Sequence, residues 1–325
     1  MKTKNTIGKA AIAVACAAFC AVPVSAKALK VLMIGNSFSI CVLKEMPQCA
    51  ASAGDKLDLA SLYIGGCPLD KHWANVEKAS DPEFKPYGFS WNYASVTNGN
   101  DAPIARLGKK TNIPQALVAD RWDVVTIQQA SGKSAFPETY EPYAGKLVAK
   151  IRELAPQAKI VVQETWSYAP YDKRLASWKM TPAEMHAALK KAYAQLAGRY
   201  GLDVIPVGDA VQLYREQLPV NYGKLLTEAE IAAIRGPAKF DFHGDVAGNS
   251  RWGKGRKGQK DAAVHRLRLD PAHLNPDGHY LQALVWQAAL FGTDVTKLEY
   301  RPSAISREKA TLMRKCAMQA VAAIP

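Results

Sequence analysis

Five compact apolar runs, each closed by small or polar residues and separated by stretches of helical periodicity, constrain this chain more than any other feature. The first, Leu29 to Ile34, ends in Gly35-Asn36-Ser37, and the second, about Leu57 to Ile64, ends in Gly65-Gly66. The third, Trp122 to Ile127, runs into Gln128-Gln129, and the fourth, Lys159 to Gln163, into Glu164-Thr165-Trp166. The fifth, Leu202 to Val207, stops at Gly208. Short unbroken apolar runs of this kind are strands covered on both faces. Helical spacing follows over Cys41 to Ala51 and Tyr143 to Leu154. Thr181, with Pro182 next and Glu184 at the third helical position, reads as a capping box on a helix reaching Tyr200 and closed by Gly201. Asn275-Pro276 caps a helix through Leu290, and a last amphipathic helix covers roughly 304–322. The alternation predicts an α/β chain: a three-layer α/β/α sandwich around a central parallel sheet.

Two stretches fall outside that scheme. Residues 70–112 are polar with scattered aromatics and predict a small hairpin beside the sheet, while 238–267 is a Gly-, Lys- and Arg-rich excursion. At the start, Lys2, Lys4 and Lys9 precede an apolar run from Ala10 to Val22 and the small residues Val24-Ser25-Ala26. That is the pattern of a cleaved signal peptide over residues 1–26, leaving one domain over 27–325 that is exported to the periplasm or beyond. Neither Cys16 nor Cys20 sits in a good lipoprotein cleavage box, and no later run is long enough to span a bilayer. Cys41, Cys49, Cys67 and Cys316 match no zinc spacing and read as buried free thiols, with room for one bridge.

With 48% hydrophobic and 22% charged residues, the chain is neither disordered nor a polytopic membrane protein. A formal net charge of +13 suits nucleic acid, an anionic surface or an acidic polysaccharide. Export and the lack of any recognisable motif argue against nucleic acid.

Ligands bind beyond the carboxyl ends of the strands of a parallel sheet. Those ends deliver Ser37, Gly65-Gly66, Gln128-Gln129 and Glu164-Thr165-Trp166, and Asp270-Pro271-Ala272-His273 lies just before the Asn275-capped helix. Acyl transfer needs such a set. A serine hydroxyl is a poor nucleophile until a histidine takes its proton, and a carboxylate orients the imidazole. Preorganised N–H donors must also meet the oxyanion. Taken singly, Ser37 is a helix cap, Gly65-Gly66 a turn and Asp270-x-x-His273 a cap. Their joint order at the strand ends makes a catalytic set.

Ile34-Gly35-Asn36-Ser37-Phe38-Ser39 resembles the first block of the SGNH (GDSL-like) hydrolases, and Asp270-Pro271-Ala272-His273-Leu274-Asn275 with Gly278 resembles their last. Gly65-Gly66-Cys67-Pro68-Leu69, the strings around Trp122 and Gln128 to Ser131, and Glu164-Thr165-Trp166 resemble one bacterial branch of that superfamily. The resemblance implies a flavodoxin-like sandwich and a serine esterase needing neither cofactor nor metal. Ser37 would be the nucleophile, His273 the base and Asp270 its orienter, with the backbone N–H groups of Ser37 and Gly66 as oxyanion donors. No asparagine follows the third strand, where the superfamily carries Gly-x-Asn-Asp. Gln128 or Gln129 is the nearest side-chain amide, and Gln129 is favoured.

Substrate clues are fewer. His72 is placed on a loop overhanging the site, against the alternative of a surface histidine. Trp166, with Trp73, Trp91 and Tyr168, would stack sugar rings or pack in the core. The basic residues from Arg251 to Arg268 either attract an anionic carbohydrate or form a solvated loop. The expected partner is a carbohydrate or acylated small molecule, with no nucleic acid and no stable membrane insertion. A carboxylate pair, Glu164 and Asp209, offers glycoside hydrolysis as an alternative, and a carbohydrate-binding protein on a hydrolase fold is another. The ligand-type side chains of Asp241, His243, Asp245, His273 and His279 follow no metal spacing.

Overall fold

A computed structural model describes residues 26–93, 107–218, 225–236, 240, 242–255 and 262–324. The expected signal peptide therefore lies outside the described residues, apart from Ala26 at its end. The first half comprises β1 (Ala28–Gly35), α1 (Ser37–Ile40), α2 (Met46–Ser52), β2 (Lys56–Tyr63), α3 (Leu69–Glu77), β3 (Tyr87–Tyr93), β4 (Lys110–Thr111), α4 (Ile113–Leu117), β5 (Val124–Ile127) and α5 (Tyr143–Leu154). There follow β6 (Lys159–Gln163), α6 (Lys173–Trp178), α7 (Pro182–Tyr200), β7 (Asp203–Ile205), α8 (Val207–Gln217), α9 (Glu228–Ala233), β8 (Ala247–Gly253), β9 (Arg266–Leu274), α10 (Pro276–Trp286) and α11 (Arg307–Ala322).

Seven strands form one sheet in the order β4-β3-β2-β1-β5-β6-β7. β2, β1, β5, β6 and β7 run parallel, and β3 and β4 add an antiparallel edge, the hairpin expected in 70–112. All of β5 and all but the first residue of β6 are buried, as double coverage requires. On one face lie α3, α4, α5 and α7, and on the other α2, α8, α10 and α11. In α5 the buried Ala144, Leu147, Val148 and Ile151 recur at helical spacing, which turns a single stripe to the sheet. The capping box of α7 closes on Thr181 and Glu184, and Gly201 ends that helix in the left-handed conformation.

The chain leaves β1 for β2 on one side and later returns to pair β5 on the other, so the strand order reverses at β1. That reversal opens a crevice at the carboxyl end of β1, where Ser37 sits. Part of the excursion expected at 238–267 is β8, which pairs with β9 as a second, two-stranded antiparallel sheet. Its second strand continues through Asp270 to Leu274, so Asp270 and His273 sit at a strand end. Among the described residues no helix is long and apolar enough to cross a membrane. Cys41, Cys49, Cys67 and Cys316 are free and buried.

Candidate active site

The turn after β1 is built for close approach. A Cβ at Gly35 would come within 2.4 Å of the Ser39 hydroxyl, so glycine alone fits. Asn36 then caps α1, its Oδ1 accepting from the Phe38 N–H at 3.0 Å. Its Nδ2 donates to the Cys67 carbonyl at 3.1 Å, which ties the serine turn to the Gly65-Gly66 turn. Ser37 is thereby held at the first position of α1, where a backbone N–H has no partner within the helix. Gly66 has φ +61 and is exposed at the rim.

Ser37 Oγ lies 2.8 Å from His273 Nε2. His273 Nδ1 lies 2.8 and 3.0 Å from the two Asp270 oxygens. An ionised carboxylate only accepts, so Nδ1 carries the proton, leaving Nε2 to accept from the serine hydroxyl. Burial raises the Asp270 carboxyl, but the His273 ring and the Ala272 and His273 N–H groups outweigh it and hold the group below its ordinary value.

The segment after β6 braces the end of β9. Trp166 Nε1 donates to the Ala272 carbonyl at 2.8 Å, and the Ala169 N–H to the Pro271 carbonyl at 2.8 Å. Phe38 stacks on Trp166 at 4.1 Å and meets the His273 ring edge-on at 5.2 Å. From β8, Asn249 Nδ2 donates to the His273 and Leu274 carbonyls at 3.1 and 2.9 Å. Below, a buried ion pair joins Arg215 to Asp245, and the Asp245 carbonyl accepts from Asn275 Nδ2.

Several expected site residues have other duties. Gln129 Oε1 accepts from the Leu69 and Ala130 N–H groups, and its Nε2 donates to Thr139. Gln128 Nε2 donates to Asn36 Oδ1 at 2.8 Å, and Gln163 Nε2 donates to Gln128 Oε1. Gln282 and Trp286 on α10 complete this buried chain by donating to Gln163 Oε1. Neither glutamine therefore aims a free amide at an oxyanion: Gln129 pins α3, and Gln128 braces Asn36 from below.

His72 and Trp166, expected at the substrate, are both fully buried. His72 lies inside α3 rather than on a loop, bonded through Nδ1 to the Tyr87 hydroxyl, and burial pushes its pKa down to about 3. Tyr168 is likewise buried, Trp73 bonds Glu77 across one helical turn, and the Trp91 side chain lies outside the described residues.

Glu164 and Asp209 do meet, with ligand atoms of Glu164, His186 and Asp209 all within 4.8 Å of one another. The Asp209 N–H bonds Glu164, while His186 and Lys190 take the two Asp209 oxygens at 2.8 Å. Burial and the neighbouring Asp209 raise the Glu164 carboxyl well above its ordinary value. Both acids are buried and already paired, so no sugar ring fits between them as glycoside hydrolysis requires.

The chain matches the DUF4886 family, a domain of unknown function, over residues 30–218, a span that includes Ser37 and Gly66 but ends before β8. A DUF4886 protein from Bacteroides uniformis superposes with a TM-score of 0.66 at 23% identity, covering 91% of this chain and 95% of its own. A candidate SGNH hydrolase from Slackia heliotrinireducens aligns at 18% identity and TM-score 0.44, covering 81% and 99%. A candidate GDSL-like lipase from Parabacteroides merdae aligns at 12% and 0.42, covering 81% and 96%. No curated protein matches. With more than half of its length matched, the chain belongs to the DUF4886 family.

Proposed function

We propose that this protein is an exported serine esterase of the SGNH type, hydrolysing ester bonds on carbohydrates, O-acetyl groups first. The observation that carries the reading is the unbroken chain from Ser37 Oγ through the His273 ring to the Asp270 carboxylate, each link 2.8 Å. His273 Nε2 takes the hydroxyl proton as Ser37 attacks the ester carbonyl. The oxyanion is met by the N–H groups of Ser37 and Gly66. His273 then gives its proton to the departing sugar oxygen, leaving an acyl-serine. Water, deprotonated by the same imidazole, releases the acid and restores Ser37. Asp270 keeps Nδ1 protonated and stabilises the imidazolium throughout.

Intact-mass spectrometry after an organophosphonate trap tests this. One adduct on the wild type, mapped to Ser37 and absent from Ser37→Ala, is expected. Loss of acetate release in Ser37→Ala by about four orders of magnitude or more should accompany it, with Asp270→Asn costing less than His273→Ala. Full activity in Ser37→Ala would sink the assignment.

A further inference from the structure

From Gly278 to Trp286 every residue of α10 is buried, so this stretch has no solvent face on which a polar side chain could sit. Gln282 nevertheless stands in the middle of it, fully buried. Its amide donates both hydrogens, one to the Phe38 carbonyl and one to Gln163 Oε1, each at 3.0 Å. Its own Oε1 has no hydrogen-bond partner among the described residues. A buried acceptor left unmet is destabilising, and a leucine or methionine at this position would avoid that cost. Packing alone therefore does not account for a glutamine here; its two donations do.

Donor and acceptor rules fix the direction of the chain that Gln282 joins. The Trp286 indole can only donate, so the Gln163 atom 2.8 Å from it is Oε1. Gln163 Nε2 then faces the Phe38 carbonyl at 3.3 Å and Gln128 Oε1, and Gln128 Nε2 faces Asn36 Oδ1. Both ends of the Gln163 amide are fully used: Oε1 by Trp286 and Gln282, Nε2 by Phe38 and Gln128. Every bond points from α10 toward the turn that holds Ser37, and Asn36 carries the chain on to the Cys67 carbonyl beside Gly66. Gln163 and Gln282 both end on the carbonyl of Phe38, the residue that follows Ser37.

The N-terminal end of α10 is fixed to the strand that bears His273. The helix begins directly beyond that residue, with only Leu274 and Asn275 between. Asn275 caps it, accepting from the Gly278 N–H at 3.1 Å, and donates to the Asp245 carbonyl. A Cβ at Gly278 would come within 2.4 Å of the Val246 carbonyl, so the first turn of α10 is pressed against the chain entering β8. One helix thus grips both sides of the Ser37–His273 hydrogen bond, although one residue follows β1 and the other ends β9.

We propose that Gln282 and Gln163 are positioning residues for acyl transfer, holding the Ser37 turn at hydrogen-bond distance from His273 by tying it to α10. The proposal rests on the esterase reading and adds to it two side chains that never meet substrate. Alignment of this kind acts on the rate of attack rather than on affinity, and a misplacement of about 1 Å costs about a hundredfold in rate.

Gln282→Met keeps the length of the side chain and removes both donations. Hydrolysis of p-nitrophenyl acetate and the rate of phosphonate labelling on Ser37 are read well below the melting temperature. Val285→Ala, an equally buried α10 variant outside the amide chain, is the control. In Gln282→Met, kcat and the labelling rate should fall together by about ten- to hundredfold, with KM changed less than about twofold. Val285→Ala should melt earlier and keep kcat. Gln163→Met should show the same split, and the double variant should lose less than the product of the two single losses, as members of one network do. If Gln282→Met does not fold, Trp286→Phe keeps a ring, removes one donation to Gln163 and should show the split in smaller measure. An earlier melt with kcat and labelling unchanged, a rise in KM alone, an equal kcat loss in Val285→Ala, or multiplying losses in the double variant would each overturn the proposal. Wild type and Gln282→Met labelled at one rate overturn this proposal alone. Wild-type protein that takes no phosphonate on Ser37 overturns the esterase reading, and this one with it.

Discussion

The indole N–H of Trp166 donates to the carbonyl of Ala272 at 2.8 Å, between Asp270 and His273 at the end of β9. A residue expected to touch sugar is instead a brace for the His273 segment, fully buried and stacked on Phe38. Trp166→Phe keeps an aromatic ring there and strands a buried carbonyl, so stability should fall by about 1–3 kcal/mol. If the indole holds His273 in register, kcat should fall with KM little changed. Thermal melts and acetate-release kinetics on one preparation would read both, and an unchanged kcat would confine Trp166 to packing.

Gln128 and Gln129 should separate cleanly. Gln129→Ala loses contacts to Leu69, Ala130 and Thr139, so it should lower the melting temperature while sparing kcat the hundredfold to thousandfold loss typical of a missing oxyanion donor. Gln128→Ala removes the donor that braces Asn36 and one of the two acceptors of Gln163 Nε2, the other being the Phe38 carbonyl, and should reduce both stability and kcat. A large kcat loss in Gln129→Ala alone would restore it as a donor.

Gly66→Ala tests backbone geometry without a clash. An added Cβ meets nothing within 4 Å, but φ +61 costs a non-glycine residue about 1–2 kcal/mol. Relaxing toward negative φ would swing the Gly66 N–H away from its present direction. We expect a modest drop in melting temperature and a larger fractional drop in kcat. Equal kcat would remove Gly66 from the oxyanion hole.

Asp270 and Glu164 bend the stability curve in opposite senses. Asp270 is held low, so it favours the folded state above the ordinary carboxylate pKa, and that contribution disappears as pH falls through the lower folded value. Glu164 is held high by burial and Asp209, so the folded state keeps a proton that the unfolded state releases. Stability is therefore lost as pH climbs from the ordinary carboxylate value toward the raised one. Glu164→Gln keeps the acceptor for the Asp209 N–H and should flatten that decline. Denaturant melts across the pH range would show it, and a parallel curve would refute it.

Legibility in the sequence followed physical distance. Ser37 and the Asp270-x-x-His273 pair stood out because strand ends and neighbouring residues set them locally. The glutamines misled because both faces of this sheet are covered, so alternation does not tell which amide meets the crevice. What takes Gln129 is the start of α3, 60 residues away in the chain. His72 was misplaced although Leu69, His72 and Val76 carry helical spacing, a stripe that packs inward. The strand bearing Asp270 and His273 was hidden by its charge, yet Arg266-Leu267-Arg268-Leu269-Asp270 alternates with period two.

Ser37 and His273 come from different sheets: Ser37 follows the central β1, whereas Asp270 and His273 ride a separate two-stranded ribbon. A ribbon of two strands is marginal by itself and lives on its moorings, here the Arg215–Asp245 pair, the Asn275 bond and the Trp166 indole. Such units open at a lower free energy than the body they lean on. Warming should therefore silence the enzyme reversibly before the central sheet melts, with amides of β9 exchanging ahead of those of β1.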